Sequence, residues 1–317
     1  MSDFAPTHER YSWTDVSGWV RHLDEQLGTR DKFWLLDPAE QLWLLKFPRD
    51  DRPDVGEIWT EKIASEISLA LGIPTVRYEF AKRGGRCGVI CKSFVARHSE
   101  RLVVGNELVG IPQLPQIRDR RKLAKTNHTL PRVINQIRPS FVDIPLNADI
   151  RCHQIQRGID VFVGFLMFDA LVAHIDRHET NWGLVKRWNA LERKVTYHLA
   201  PNYDLASCLG HELFEEKRKS LTDDETELAK YLSNARGKIF DLDGKPMPPI
   251  EMFNEAQQLY PDAGQYWLGK LQGLTSDDVD ALLGKIPIEL ASIHARQLAK
   301  MIILRNRDQL LGRGTAE

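Results

Sequence analysis

The chain has 317 residues, 42% of them hydrophobic and 27% charged, and its 43 basic and 44 acidic side chains leave a net charge of −1. That length allows two lobes around a cleft, the composition is that of an ordinary globular protein, and the balanced charge excludes a global field that would draw nucleic acid or an anionic membrane surface. The four cysteines, Cys87, Cys91, Cys152 and Cys208, have no neighbouring His or Cys cluster of zinc-site spacing and read as buried thiols in a reducing compartment.

In chain order, the opening Met1-Ser2-Asp3-Phe4-Ala5-Pro6 lacks the basic-then-apolar run of a secretory signal, so a cytoplasmic protein is expected. The segment Gly28-Thr29-Arg30-Asp31-Lys32 precedes the first strand, where a phosphate-covering loop would lie. Residues 32–36 and 41–47 are short apolar strands, and Asp37-Pro38-Ala39-Glu40 between them predicts a hairpin turn. A polar link from Pro48 to Gly56 leads into a helix with Ile63, Ile67 and Leu71 at helical spacing, stopped by Gly72 and Pro74. Thr75 to Ala81 and Gly88 to Val95 read as two further strands around Arg83-Gly84-Gly85. Asn106 to about Arg157 is polar, basic and proline-spotted, and predicts helices with a mobile loop. Ile159 to Ala173 is apolar enough on all sides to be a buried helix. The apolar run Val161 to Ile175 is broken by Gly164, Asp169 and His174 and falls short of the ~20 residues a membrane helix needs. Trp182 to Val185 and Lys194 to Leu199 predict a second hairpin, and the C-terminal third is expected to be helical.

The residues that carry chemistry surround that second hairpin. His174-Ile175-Asp176-Arg177-His178-Glu179-Thr180-Asn181 has the spacing H-x-D-x-x-x-x-N of a protein-kinase catalytic loop, and Asp204 follows the hairpin. Phosphoryl transfer needs a carboxylate that positions the acceptor hydroxyl, here Asp176. It also needs oxygen ligands for magnesium, here the Asn181 amide and the Asp204 carboxylate. Taken singly, Asp176 could turn a loop, and Asp204 could cap a helix at Leu205. Together, in this order and context, they point to catalysis. His178 is read as fixing the loop by hydrogen bonding. Lys46, among Leu44, Leu45 and Phe47, could hold ATP phosphates if a carboxylate oriented it. Its bland alternative is an edge lysine with its stem on apolar surface. Glu61 and Glu66 on the following helix are the candidate partners, and they lie on different faces.

These motifs resemble the HipA-like atypical serine/threonine kinases of bacteria. Asp176-Arg177-His178-Glu179-Thr180-Asn181 fits that group's D-x-H-x-x-N, and Tyr203-Asp204-Leu205-Ala206-Ser207 fits its Y-D-x-x-S. Leu44-Leu45-Lys46, the helix from Glu61 to Pro74, the loop Gly28 to Lys32 and Asn306-Arg307-Asp308-Gln309-Leu310 are supporting matches, and the helix match favours Glu61 over Glu66. The resemblance runs from about residue 25 to 310. It implies an α+β, two-lobed protein-kinase-like fold, with a β-rich N-lobe over 1–97 and a mainly helical C-lobe over 98–317. It further implies an ATP- and magnesium-dependent transfer to a protein hydroxyl, with Lys46, Glu61 and Asp176 catalytic, Asn181 and Asp204 on the metal, and Gly28, Thr29, Lys32 and Lys46 on the nucleotide. A protein substrate and an antitoxin-like partner follow as expectations, with neither membrane nor direct nucleic-acid binding. Two departures stand out: the family's toxins carry an extra N-terminal subdomain before the glycine loop, and no serine lies in Gly28 to Lys32 where the family has an autophosphorylated one. Transfer to a lipid or small-molecule hydroxyl, or a non-catalytic partner subunit on the same fold, are the competing readings.

Overall fold

A computed structural model describes residues 9–24, 31–49, 56–111, 120–146 and 148–313. Its first part is a six-stranded sheet with one helix. The elements are β1 (Trp13–Asp15), β2 (Val20–Asp24), β3 (Lys32–Leu36), β4 (Leu42–Lys46), α1 (Glu57–Ala70), β5 (Tyr78–Arg83) and β6 (Arg86–Lys92). They pair in the order β1-β5-β6-β4-β3-β2. All pairs are antiparallel except β1 with β5. Period-two alternation sorts the side chains into two layers. Tyr78, Phe80, Val89 and Cys91 pack with Trp59, Ile63 and Ile67 of α1. On the other face Phe33, Leu35, Leu45, Phe47 and Ile90 form a second apolar cluster, with Arg21 over the ring of Phe33 and Arg86 over that of Phe47. The helix stops where expected: Gly72 takes a φ of 71°, a left-handed conformation that a side chain disfavours.

The second part is built on α5 (Gly158–Leu171), all of whose residues are buried. An apolar helix of this kind must be surrounded, and it is. Ahead of it come β7 (Glu100–Val104), α2 (Gly105–Leu108), α3 (Arg120–Asn127), α4 (Leu130–Ile137) and β8 (Val142–Asp143). After it come β9 (Gly183–Asn189) and β10 (Lys194–Leu199). The helices α6 (Glu215–Asp223), α7 (Glu225–Ser233), α8 (Pro249–Leu259), α9 (Pro261–Gln272), α10 (Ser276–Gly284) and α11 (Ile293–Leu310) complete the chain. Close packing reaches the backbone of α5 at Gly164: a Cβ there would meet the Trp267 ring at 2.4 Å, and that indole donates to the Asp160 carbonyl at 2.8 Å. The small sheet runs β7-β9-β10-β8.

The mixed α+β architecture and both hairpins agree with the sequence reading, and details differ. The expected strands 75–81 and 88–95 shift to Tyr78–Arg83 and Arg86–Lys92. A two-residue turn at Gly84 and Gly85, both at positive φ, closes that hairpin. Thr75 and Val76 instead bond to the Asn202 carbonyl, which ties the entry to β5 to the segment before Asp204. Strands β1, β2, β7 and β8 were not foreseen; they have two to five residues each, and neighbouring strands define them more than their own pattern. The loop expected between Asn106 and Arg157 includes residues 112–119, which lie outside the described ones. All four cysteines are free thiols. Among the described residues, no helix is long and apolar enough to cross a membrane.

Candidate active site

Lys46 ends β4, an interior strand of the large sheet, and is only 5% exposed. The edge-lysine alternative therefore falls away. Its Nζ donates to Glu61 Oε1 at 3.0 Å and to Asp204 Oδ1 at 2.8 Å, and the Tyr78 hydroxyl lies at 3.4 Å. Burial alone would lower the lysine pKa, but the carboxylates of Asp204 and Glu61 outweigh it and hold the ammonium above its usual range. The choice between the two glutamates is settled by geometry: Glu61 meets Lys46, whereas Glu66 meets Lys62 one turn away at 2.7 Å.

Asp204 does not cap a helix. It sits at a φ of 58° in a stretch without regular secondary structure, a left-handed conformation that aspartate tolerates better than most residues. Neighbouring contacts fix it from two elements. Its own N–H donates to the Tyr78 hydroxyl at 3.1 Å, and the N–H of Leu205 donates to Glu61 Oε1 at 3.0 Å. Thr60 of α1 adds a hydrogen bond to the Ala206 carbonyl at 2.8 Å. The helix that orients Lys46 and the segment that carries Asp204 are thus bonded to each other directly.

The loop after α5 is shaped from inside. Arg177, between Asp176 and His178, is 1% exposed and grips Asp169 of α5 with Nε at 2.8 Å and Nη2 at 2.5 Å. Its Nη1 donates to the Asn181 carbonyl at 3.0 Å. Burial raises the pKa of Asp169, yet the adjacent Arg177 and His174 bring it below the usual carboxylate range. With Arg177 drawn inward, Asp176 faces outward with a third of its side chain exposed. Asn181 closes the loop by donating from Nδ2 to the Asp176 carbonyl at 2.8 Å, so its oxygen remains available. His178 takes the Thr180 N–H on Nδ1 at 3.2 Å, the loop-fixing role expected of it.

Between the two sheets lies a cavity of about 560 Å³, lined by Lys32, Lys46, Asn181 and Asp204 together with Leu44, Val76, Phe94 and Tyr203. Lys32 stands directly across from Lys46 in the β3–β4 register. Asp176 is not part of the lining; it is joined to the cavity through Asn181. Gly28 and Thr29 lie outside the described residues. Cys91 also faces the cavity, but burial pushes its thiol up to about 12, so it carries no thiolate. Sequence reasoning missed Tyr78, Arg177 and Asp169. Among the described residues no cluster of three or more His, Cys, Asp or Glu could cage a metal. One carboxylate and one amide oxygen suit magnesium, which is held by few protein oxygens and completed by phosphates and water.

Two solved structures share this fold. The Helicobacter pylori proinflammatory kinase CtkA matches with a TM-score of 0.70 at 18% identity, covering 95% of this chain and 96% of its own. The fold is that of the HipA-like kinases. HipA of Shewanella oneidensis MR-1, solved with HipB and operator DNA as a toxin–antitoxin system, matches with a TM-score of 0.56 at 13% identity, covering 94% of this chain and 68% of its own. No protein-family model and no curated protein matches the chain. At such identities the likeness is one of fold, and the site residues must carry any functional argument.

Proposed function

We propose that the chain is a serine/threonine protein kinase that uses ATP and magnesium. The observation that carries this reading is the convergence of Lys46, Glu61 and Asp204 within hydrogen-bond distance at the cavity that Asn181 also lines. The Asp204 carboxylate and the Lys46 ammonium meet at 2.8 Å at this cavity. Glu61 aims the ammonium, and Lys46 holds the nucleotide phosphates. Asn181 and Asp204 would hold the metal, which supplies charge neutralisation at the transferring phosphoryl group. Asp176 orients the acceptor hydroxyl and takes its proton. Gly28, Thr29 and Lys32 are the residues assigned to the nucleotide phosphates in this reading. The lobes divide near residue 97 in this reading, with the cavity between them. The likeness to HipA makes an antitoxin-like protein the natural partner to seek.

The reading is tested by incubating the purified chain with magnesium-ATP and a cell lysate and mapping new phosphosites by mass spectrometry, with lipid vesicles as a parallel acceptor. Phosphoserine or phosphothreonine that disappears with Asp176→Asn is expected. Transfer to lipid alone would move the acceptor class, and nucleotide binding without any turnover would make the chain a non-catalytic subunit.

A further inference from the structure

Tyr78 opens β5 and is 2% exposed, its ring packed in the core layer under α1 and 5.0 Å below the Lys46 ammonium. A phenylalanine would fill the same space. The hydroxyl must therefore be explained separately, because a buried polar group without partners is destabilising. It has partners, and they belong to the site. It accepts from the Asp204 N–H at 3.1 Å and lies 3.4 Å from Lys46 Nζ, while the Cys91 thiol is beside it. Burial drives the phenol pKa well above its ordinary value, so the group stays neutral at all working pH.

The Asp204 backbone is at a left-handed φ, and its carboxylate rests on Lys46. For that carboxylate to serve a metal, the side chain must be aimed at it from a main chain that stays where it is. Two successive N–H groups hold the main chain, Leu205 through Glu61 and Asp204 through Tyr78. Glu61 also serves Lys46 and is shared; the Tyr78 bond is made to the Asp204 N–H itself.

We infer that Tyr78 is a positioning residue that fixes the Asp204 backbone so that its carboxylate can meet the metal without the segment relaxing. The inference rests on the kinase reading. It places a tyrosine hydroxyl from the sheet, outside the catalytic loop and outside the Lys46–Glu61 pair, in control of metal affinity and not of nucleotide affinity.

Tyr78→Phe in the full chain is the test, read by calorimetry of ATP binding with chelator and across a magnesium titration. Metal-free ATP affinity should change less than about twofold, since Lys46 and the apolar walls remain. The half-saturating magnesium concentration should rise about tenfold, the loss of one buried hydrogen bond. Tyr78→Phe added to Asp204→Asn should cause little further loss, because the tyrosine acts through the aspartate. In the wild type, the Asp204 amide should exchange slowly with deuterium, a measurement that needs no variant. An unchanged magnesium constant in Tyr78→Phe, additive losses in the double variant, or a freely exchanging Asp204 amide would each overturn the inference while leaving the kinase reading intact. A wild-type chain with no magnesium-dependent nucleotide binding would overturn both.

Discussion

Replacing Lys46 separates what the buried triad does for the fold from what it does for chemistry. Lys46→Met keeps the stem and removes the ammonium. Among the described residues, Glu61, 1% exposed, is then left with only the Leu205 N–H on its oxygen. Removing one partner of a buried ion pair costs about 3–5 kcal/mol. Asp204 adds little, because its side chain is 30% exposed and water screens the loss. Against a typical total stability of about 5–15 kcal/mol, the variant should melt roughly 10 °C lower. Turnover should fall ~10²-fold or more. The second variant, Lys46→Met with Glu61→Gln, removes the stranded charge while its amide oxygen still accepts from Leu205. It should recover most of the lost stability and none of the activity. Urea unfolding followed by optical spectroscopy and a radiolabelled ATP transfer assay read the two quantities on the same preparations. A single variant that unfolds at the wild-type midpoint, or a double variant that transfers phosphate at the wild-type rate, would refute the reasoning.

The other predictions concern separate parts of the site and its support. Asp204→Asn and Asp176→Asn should each reduce turnover ~10²-fold or more, a loss of ~3 kcal/mol of transition-state stabilisation, with melting temperatures near wild type; steady-state kinetics and calorimetry check this, and wild-type turnover in Asp204→Asn would cancel its metal role. Arg177→Met strands Asp169 at full burial, with only His174 3.2 Å away, and should cost about 3–5 kcal/mol; denaturant unfolding at the wild-type midpoint would contradict the buried-pair argument. His128, fully buried, bonds the Lys238 carbonyl through Nδ1 and accepts from Trp182 Nε1 at 2.8 Å, and burial pushes its pKa down to about 4 from 6.5. The unfolded chain binds the proton first, so this stability is present above pH 6.5 and is lost as pH falls towards 4. The loss amounts to about 3 kcal/mol, and a His128→Gln variant with an equally steep pH profile of unfolding would refute it.

Much of this site was legible because its chemistry is written in local spacing. Asp176, Asn181 and Asp204 are set by one loop and one hairpin, and both hairpin strands have a clear apolar pattern. Glu61 was preferred over Glu66 only through a resemblance, since two acids on one helix differ by face and the face depends on what the helix packs against. Four strands escaped notice for a related reason. β1 has three residues and pairs in parallel with β5, far along the chain, so its neighbour and not its sequence makes it a strand. The shift of β5 to begin at Tyr78 follows from Thr75 and Val76 bonding to Asn202, a contact between distant segments that no window of sequence contains.

Arg177 and Tyr78 show where local reading ends. A charged residue between Asp176 and His178 in a polar loop reads as solvent-facing, and the signal that it is not lies eight residues earlier, in Asp169 on an otherwise apolar helix. An aspartate inside such a helix cannot be left unpaired, so the helix itself demands a cation, and the nearest lysine or arginine in the chain is Arg177. That demand turns Arg177 inward, and the turn presents Asp176 to the outside while the Arg177 guanidinium secures the Asn181 carbonyl. The same logic applies to Tyr78: a hydroxyl facing a core layer needs a partner, and the partners that reach it are Lys46 and Asp204. In both cases the polar group that looked misplaced in an apolar element is the one that holds the backbone of the candidate site.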